Sequence, residues 1–116
     1  MFEARYLDKA DETRTFRNWQ LDVVNMPGAT VGRLTLQPGF RWSQDMKEAA
    51  GTETCQETHT GYVLSGRVHV RMDDGTEGEL EEGQAFIISP GHDSWVVGDE
   101  PFVALDWSGA ETYMKR

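Results

Sequence analysis

Apolar and polar residues along this chain alternate over short runs and almost never at helical spacing. After Gly66, Val68, Val70 and Met72 fall in one phase, and Arg67, His69 and Arg71 in the other. A period of two places one set on a buried face and the other on a wet face of a sheet. Turn signals punctuate the runs at Pro27-Gly28, Pro38-Gly39, Gly51, Gly66, Asp74-Gly75, Gly83, Pro90-Gly91 and Gly98-Asp99. The pattern predicts strands over 13–19, 21–25, 29–36, 41–43, 59–72 with a bend at Gly66, 78–80, 85–88, 94–97 and 102–107. One helical turn is expected over 46–50, stopped by Gly51. The fold class is therefore all-β, a sandwich or barrel. The first dozen residues are expected to form an arm or an edge strand. The tail 113–116 is expected to fray.

Composition narrows this picture. A chain of 116 residues with four Trp, three Tyr and five Phe is most simply one domain spanning 1–116, large enough for its own core. Twenty acidic against eleven basic residues give a formal charge of −9. Such a surface repels phosphate backbones, so no nucleic-acid partner is expected. No stretch approaches the roughly 20 apolar residues that span a bilayer, so no membrane partner is expected. The N-terminus lacks the basic-then-apolar pattern of a secretory signal. With one cysteine, Cys55, no internal disulfide forms, which points to a cytoplasmic, reducing setting.

Candidate chemistry begins at His59, which opens the longest strand. From there a ring nitrogen can enter a barrel mouth, and neutral imidazole is the commonest metal ligand. Asp45, Cys55 and His92 are the other candidate ligands. A Cys/His/carboxylate set suits Zn or Fe better than Mg. Cys55 and His59 are four residues apart, roughly 13 Å on a straight strand, so they share an ion only if the chain turns between them. Trp42 and Trp95 flank polar turns and are candidate pocket walls, with core packing as the alternative. His69, between two arginines, is read as solvent-facing. Left-handed backbone at Gly91 would turn His92 out to solvent; an early start to the next strand would turn it in. No nucleophile and general-base pair stands out.

The stretch from His59 to Gly66, with Gly83, Ile88 and Pro90-Gly91 beyond it, resembles the two motifs of the cupins. The resemblance runs from about Val23 to Trp107. The first motif reads Gly, five residues, His-x-His, three or four residues, Glu, six residues, Gly. Counted back from Gly66, His59 stands at the glutamate position, Cys55 at the second histidine and Glu53 at the first. Counted forward from Gly39, Asp45 and Lys47 take the two histidine positions, and residues 48–57 look like an insertion. In the second motif Ser94 holds the histidine position, with His92 two residues earlier.

The resemblance implies a double-stranded β-helix, a jelly-roll barrel. Small jelly-rolls have exposed edges, and pairing through the N-terminal strands as a homodimer is expected to cover them. It implies one divalent transition metal (Zn, Fe or Mn), a small-molecule ligand, or both, in the barrel mouth. Three functions follow: a metal- or small-ligand-binding barrel without an assigned reaction; a metal-dependent oxygenase or isomerase; and an interaction module with no site.

Overall fold

The structure is a computed structural model and describes residues 1–115. Nine strands form two antiparallel sheets. They are β1 (Glu12–Phe16), β2 (Trp19–Met26), β3 (Ala29–Leu36), β4 (His59–Ser65), β5 (Arg67–Met72), β6 (Glu77–Glu81), β7 (Ala85–Ile88), β8 (His92–Val96) and β9 (Phe102–Asp106). One sheet runs β1-β2-β3-β9-β4-β7 and the other β6-β5-β8. Two short helical turns, α1 (Trp42–Asp45) and α2 (Lys47–Ala50), lie between β3 and β4. This is the all-β barrel that the alternation predicts.

The alternation is realised strand by strand. Leu21 and Val23 of β2, Val63 of β4, Val68 and Val70 of β5, and Phe102 and Ala104 of β9 pack into one core between the sheets. The last strand, β9, lies between β3 and β4 and carries the sheet across its middle. Burial of this set is the main favourable term of the fold. On the outer side of β2, Val24 is buried too. The N-terminal segment runs along β2: Asp11 N–H bonds to Val23 O, and Arg5 reaches Asn25 O. A 3-10 turn (Leu7–Lys9) precedes β1, which begins at Glu12 as an edge strand.

The run 59–72 divides into two strands in different sheets. Gly66 makes the corner with φ +79°, a left-handed conformation open to glycine. A Cβ there would lie 2.2 Å from Pro101 O. The strand expected over 41–43 is instead the start of α1. Asp93 on β8 accepts from Ser43 N–H at 3.0 Å and from Ser43 Oγ at 2.8 Å, so the chain turns at Trp42. Only Arg41 keeps an extended bridge, to Trp95.

The tail is not frayed at Tyr113. Residues 109–114 fold back over the barrel mouth, and Tyr113 is buried. The buried guanidinium of Arg14 holds this segment. Its Nη1 donates to Ala110 O at 2.8 Å and to Tyr113 O at 2.7 Å, while Nη2 donates to Glu111 O at 3.0 Å. Charge-assisted bonds to three carbonyls offset the chain entropy lost there. Arg116 lies outside the described residues.

The corner yields a stability test. Gly66→Ala adds left-handed strain to a backbone clash, and we expect a loss of about 3 kcal/mol or more. That corresponds to a Tm lower by on the order of 10 °C in thermal unfolding. An unchanged Tm would show that the corner relaxes freely.

Candidate metal centre

His59 is the first residue of β4 and shares its inward phase with Gly61 and Val63. His92 is the first residue of β8, two residues ahead of the strand expected from sequence. Gly91 is left-handed, at φ +91°, yet His92 points inward and is 3 % exposed. The cause is the loop after α2. Cys55 docks against His92 as an antiparallel bridge, with Cys55 N–H bonded to His92 O at 2.8 Å and Gly91 N–H to Cys55 O at 2.7 Å. The same bridge turns the chain between Cys55 and His59. Their four-residue separation collapses, and Cys55 Sγ lies 3.5 Å from His59 Nε2.

One ligand atom from each of Cys55, His59 and His92 falls within 4.8 Å of the others, and all three residues are buried. Both rings are held from behind. His59 Nδ1 meets Asp106 Oδ2 at 2.6 Å, and His92 Nδ1 donates to Ser89 O at 2.8 Å. Each Nε2 is thereby left as the atom facing the cluster. A carboxylate or carbonyl behind the ring is the usual way a metal-ligating histidine is oriented. A tetrahedral ion with Zn–S and Zn–N bonds of ordinary length separates S and N by about 3.6 Å. The 3.5 Å between Cys55 and His59 matches that edge.

Asp106 is the last residue of β9, opposite Gly61, so its carboxylate sits diagonally beside His59 on the inner face. Gly61 permits this approach, since a Cβ there would lie 1.9 Å from Leu105 O. Tyr113 closes the other side. Its hydroxyl is 3.6 Å from Cys55 Sγ and accepts from Trp42 Nε1 at 3.0 Å.

Opposed effects set the protonation states. Burial pushes the Cys55 thiol up, but the hydrogen bonds and charges of His59 and His92 outweigh it and bring it down to about 6. Burial pushes His59 down, but Asp106 and Cys55 raise it to about 9. Burial and the adjacent Cys55 charge hold Tyr113 well above its ordinary value, so the hydroxyl keeps its proton and donates it toward the thiolate.

The cluster borders an apolar cavity between the sheets. Its interior leaves about 50 Å³ for the centres of water molecules. Trp42 is on its wall. Trp95 is not. It faces the outside of the three-stranded sheet, stacked on His69 with 4.7 Å between ring centroids and covered by the Arg41 guanidinium at 4.2 Å. Strand parity explains this, because Trp95 is out of phase with His92 and Ser94 on β8. His69 is on that outer face, as expected, paired with Glu77.

Asp45 is not with the cluster. It ends α1, where its carboxylate accepts from Arg41 N–H at 3.2 Å and lies near Arg17. Glu53 is exposed and paired with Lys47. Counting back from Gly66 therefore finds Cys55, and counting forward from Gly39 misleads. Two residues of the site escaped sequence reading, Asp106 and Tyr113. Asp106 had a signal, as an acidic residue in the inward phase of Phe102 and Ala104. The line Cys55–His59–Asp106 is also a thiol and base pair that the sequence did not reveal.

A family model for the cupin domain matches residues 33–108. The chain belongs to the cupin family. Several solved cupin-like structures share the fold. A protein with a double-stranded β-helix domain from Klebsiella pneumoniae is 19% identical, with a TM-score of 0.59, covering 92% of this chain and 89% of that one. A cupin-like protein from Thermotoga maritima is 13% identical, with a TM-score of 0.54, covering 84% of this cupin and 72% of that chain. Lactobacillus farciminis oxalate decarboxylase, solved with formate, is 15% identical with a TM-score of 0.59; the match covers 84% of this chain and 30% of that one. No curated protein sequence matches. No helix among the described residues is long and apolar enough to cross a membrane.

The protonation states give a pH profile for protein stripped of metal by chelation. The folded-state value of Cys55 is lowered, so its contribution is full above the unfolded value near 9 and fades as pH falls through about 6. The folded-state value of His59 is raised, so its contribution is full below 6.5 and fades as pH rises through about 9. Thermal unfolding across pH should show maximal Tm between these limits. Asp106→Asn should weaken the alkaline fall, and a wild-type Tm that keeps rising past pH 9 would contradict the His59 assignment.

Proposed function

We propose that this cupin binds one divalent transition metal through Cys55 Sγ, His59 Nε2 and His92 Nε2. The observation that carries the reading is the convergence of three buried ligand atoms within 4.8 Å, two of them on rings oriented by Asp106 and Ser89. A thiolate with two imidazoles favours Zn or Fe over Mn on softness. Asp45, far from the cluster, is not among the ligands proposed. Neither is Trp95 among the pocket residues, which are His59 and Trp42.

Three protein ligands leave a fourth position, the arrangement of reactive rather than purely structural sites. This feature supports the oxygenase or isomerase class over a module without a site. His59 and His92 line the apolar cavity, which limits what can approach them from that side. About 50 Å³ holds roughly three or four waters, far below the several hundred Å³ of a metabolite pocket. Among the described residues its wall includes no Lys or Arg to pair with a carboxylate. A small uncharged molecule fits this cavity better than an organic acid.

His59 must lose its Nε2 proton to take an ion, so metal affinity falls as pH falls. Protein purified without tag or chelator should carry near one equivalent of Zn or Fe by elemental analysis. Cobalt loading should give a thiolate-to-cobalt charge-transfer band that Cys55→Ser abolishes. His59→Ala and His92→Ala should each remove most of the metal, and Asp106→Asn should weaken binding by about 10–100-fold. Protein that takes up neither its own metal nor added cobalt would refute the site. The hydrogen-bonded line from Cys55 through His59 to Asp106 would then stand as a metal-free thiolate pair, tested by alkylation of Cys55.

A further inference from the structure

The cluster has a second side, away from the apolar cavity. There a wider hollow lies between α2, the loop after it and the C-terminal tail, with about 350 Å³ for water centres where the inner cavity has about 50 Å³. Its lining is polar where the inner one is apolar: Thr52, Gln56, Glu57 and Lys115 belong to it, together with Cys55. Trp42 and Tyr113 line both spaces. Their side chains are joined by the 3.0 Å bond from Trp42 Nε1 to the Tyr113 hydroxyl. The Tyr113 ring also stands edge-on to His59, with centroids 4.7 Å apart, and to Trp19, at 5.6 Å. Behind this partition Cys55 is 1% exposed and His59 7%. A molecule meets them from the hollow only if part of the partition moves.

We propose that small uncharged molecules, the class that the inner cavity favours under the function proposed above, reach the cluster from this hollow, and that Tyr113 and its tail segment are the gate. The strands are poor candidates for the moving part, since parting them breaks ladder hydrogen bonds and opens the core. Residues 109–115 lie outside both sheets. Their backbone bonds run within the segment: Thr112 and Tyr113 N–H donate to Gly109 O at 3.0 and 2.7 Å, and Lys115 N–H to Thr112 O at 3.0 Å. The segment can therefore swing as a unit and keep them. Its ties to the barrel are the Arg14 guanidinium on three carbonyls, the Tyr113 side chain, and Ala110, seated on Gly32 where a Cβ would come within 3.0 Å of its methyl. Gly109 is placed to be the pivot. It is left-handed, at φ +79°, and it follows Ser108, whose N–H is fixed to Asp106 Oδ1 at 2.9 Å.

Opening takes Tyr113 out from between the two spaces and joins them beside Cys55 and Trp42. It breaks the charge-assisted bonds of Arg14, so the open form is a minor one and Arg14 sets its population. The gate covers Cys55 with or without an ion in the cluster. Metal-free protein therefore tests it apart from the metal site, and either can fail while the other stands.

Alkylation of Cys55 by iodoacetamide, itself small and uncharged, reads the open fraction in the chelator-treated full chain, because a buried thiol reacts only from the open form. The wild-type rate should be nearly flat across low urea, since the gate exposes little surface. Arg14→Gln should raise it by about tenfold or more, by taking charge-assisted bonds from the tail. Gly109→Ala should raise it by about tenfold, through left-handed strain in the closed form. Neither substitution removes a group bonded to the Cys55 thiol, and strand circular dichroism shows whether each variant is folded. A wild-type rate that climbs with urea in step with global unfolding overturns the gate, and this result needs no variant. So does a rate that the folded variants leave unchanged, because entry is then through another wall.

Discussion

The bond between His59 Nδ1 and Asp106 Oδ2 joins the fold to its chemistry. It is 2.6 Å long, buried, and charge-assisted when His59 holds its proton. From it a line of hydrogen bonds runs through Cys55 and Tyr113 to Trp42. That line touches β9, β4, the loop after α2, the tail and α1. Each member supplies the partner that burial of the next requires. A lone carboxylate or thiolate in an apolar barrel would shift its pKa and neutralise. Removing Asp106 or His59 would leave a buried charge unpaired, which costs more than the pair contributes.

Sheet geometry makes this line possible. Asp106 reaches His59 because β9, last in sequence, lies beside β4, and Gly61 lets the two strands close up. Cys55 reaches the same point from outside the sheet, carried by its bridge to His92. The tail covers the mouth only because Arg14, on the edge strand β1, binds three carbonyls there. The site is thus assembled from parts distant in sequence, and no single motif contains it.

This explains what the sequence disclosed. Period-two runs and glycine turns are local signals, and they gave most of the strands and the corner at Gly66. His59, Cys55 and His92 were legible as ligand types, but not as a cluster. The turn that joins them is made by backbone pairing between residues 55 and 92. Gly91 shows the limit of local reasoning, since a left-handed glycine followed by an inward histidine requires that pairing. The phase of β8, which turns Trp95 outward, and the course of residues 48–57, which leaves Asp45 away from the cluster, are not local signals. Tyr113 had no signal at all. Its burial depends on Arg14, some hundred residues earlier.

Charge balance gives a reason for a cysteine at position 55. A divalent ion with neutral imidazoles alone would bring two positive charges into an apolar barrel. Among the described residues the wall offers no carboxylate at ligand distance, because Asp106 is engaged with His59. A thiolate cancels one charge directly. Asp106 cancels the second from behind the His59 ring, where it also fixes the tautomer. The assembly of ion, Cys55, His59, His92 and Asp106 is then formally neutral. Neutrality suits a cavity whose other lining is mainly aliphatic and aromatic, and where any residual charge would be poorly solvated. It also suits the small uncharged occupant that the cavity's size and lining favour, since a neutral centre holds no particular attraction for an anion. Replacing Cys55 by histidine would keep a nitrogen near the ion while leaving one positive charge uncompensated. The identity of the residue at 55 would therefore govern the charge of a metal bound there as well as its geometry.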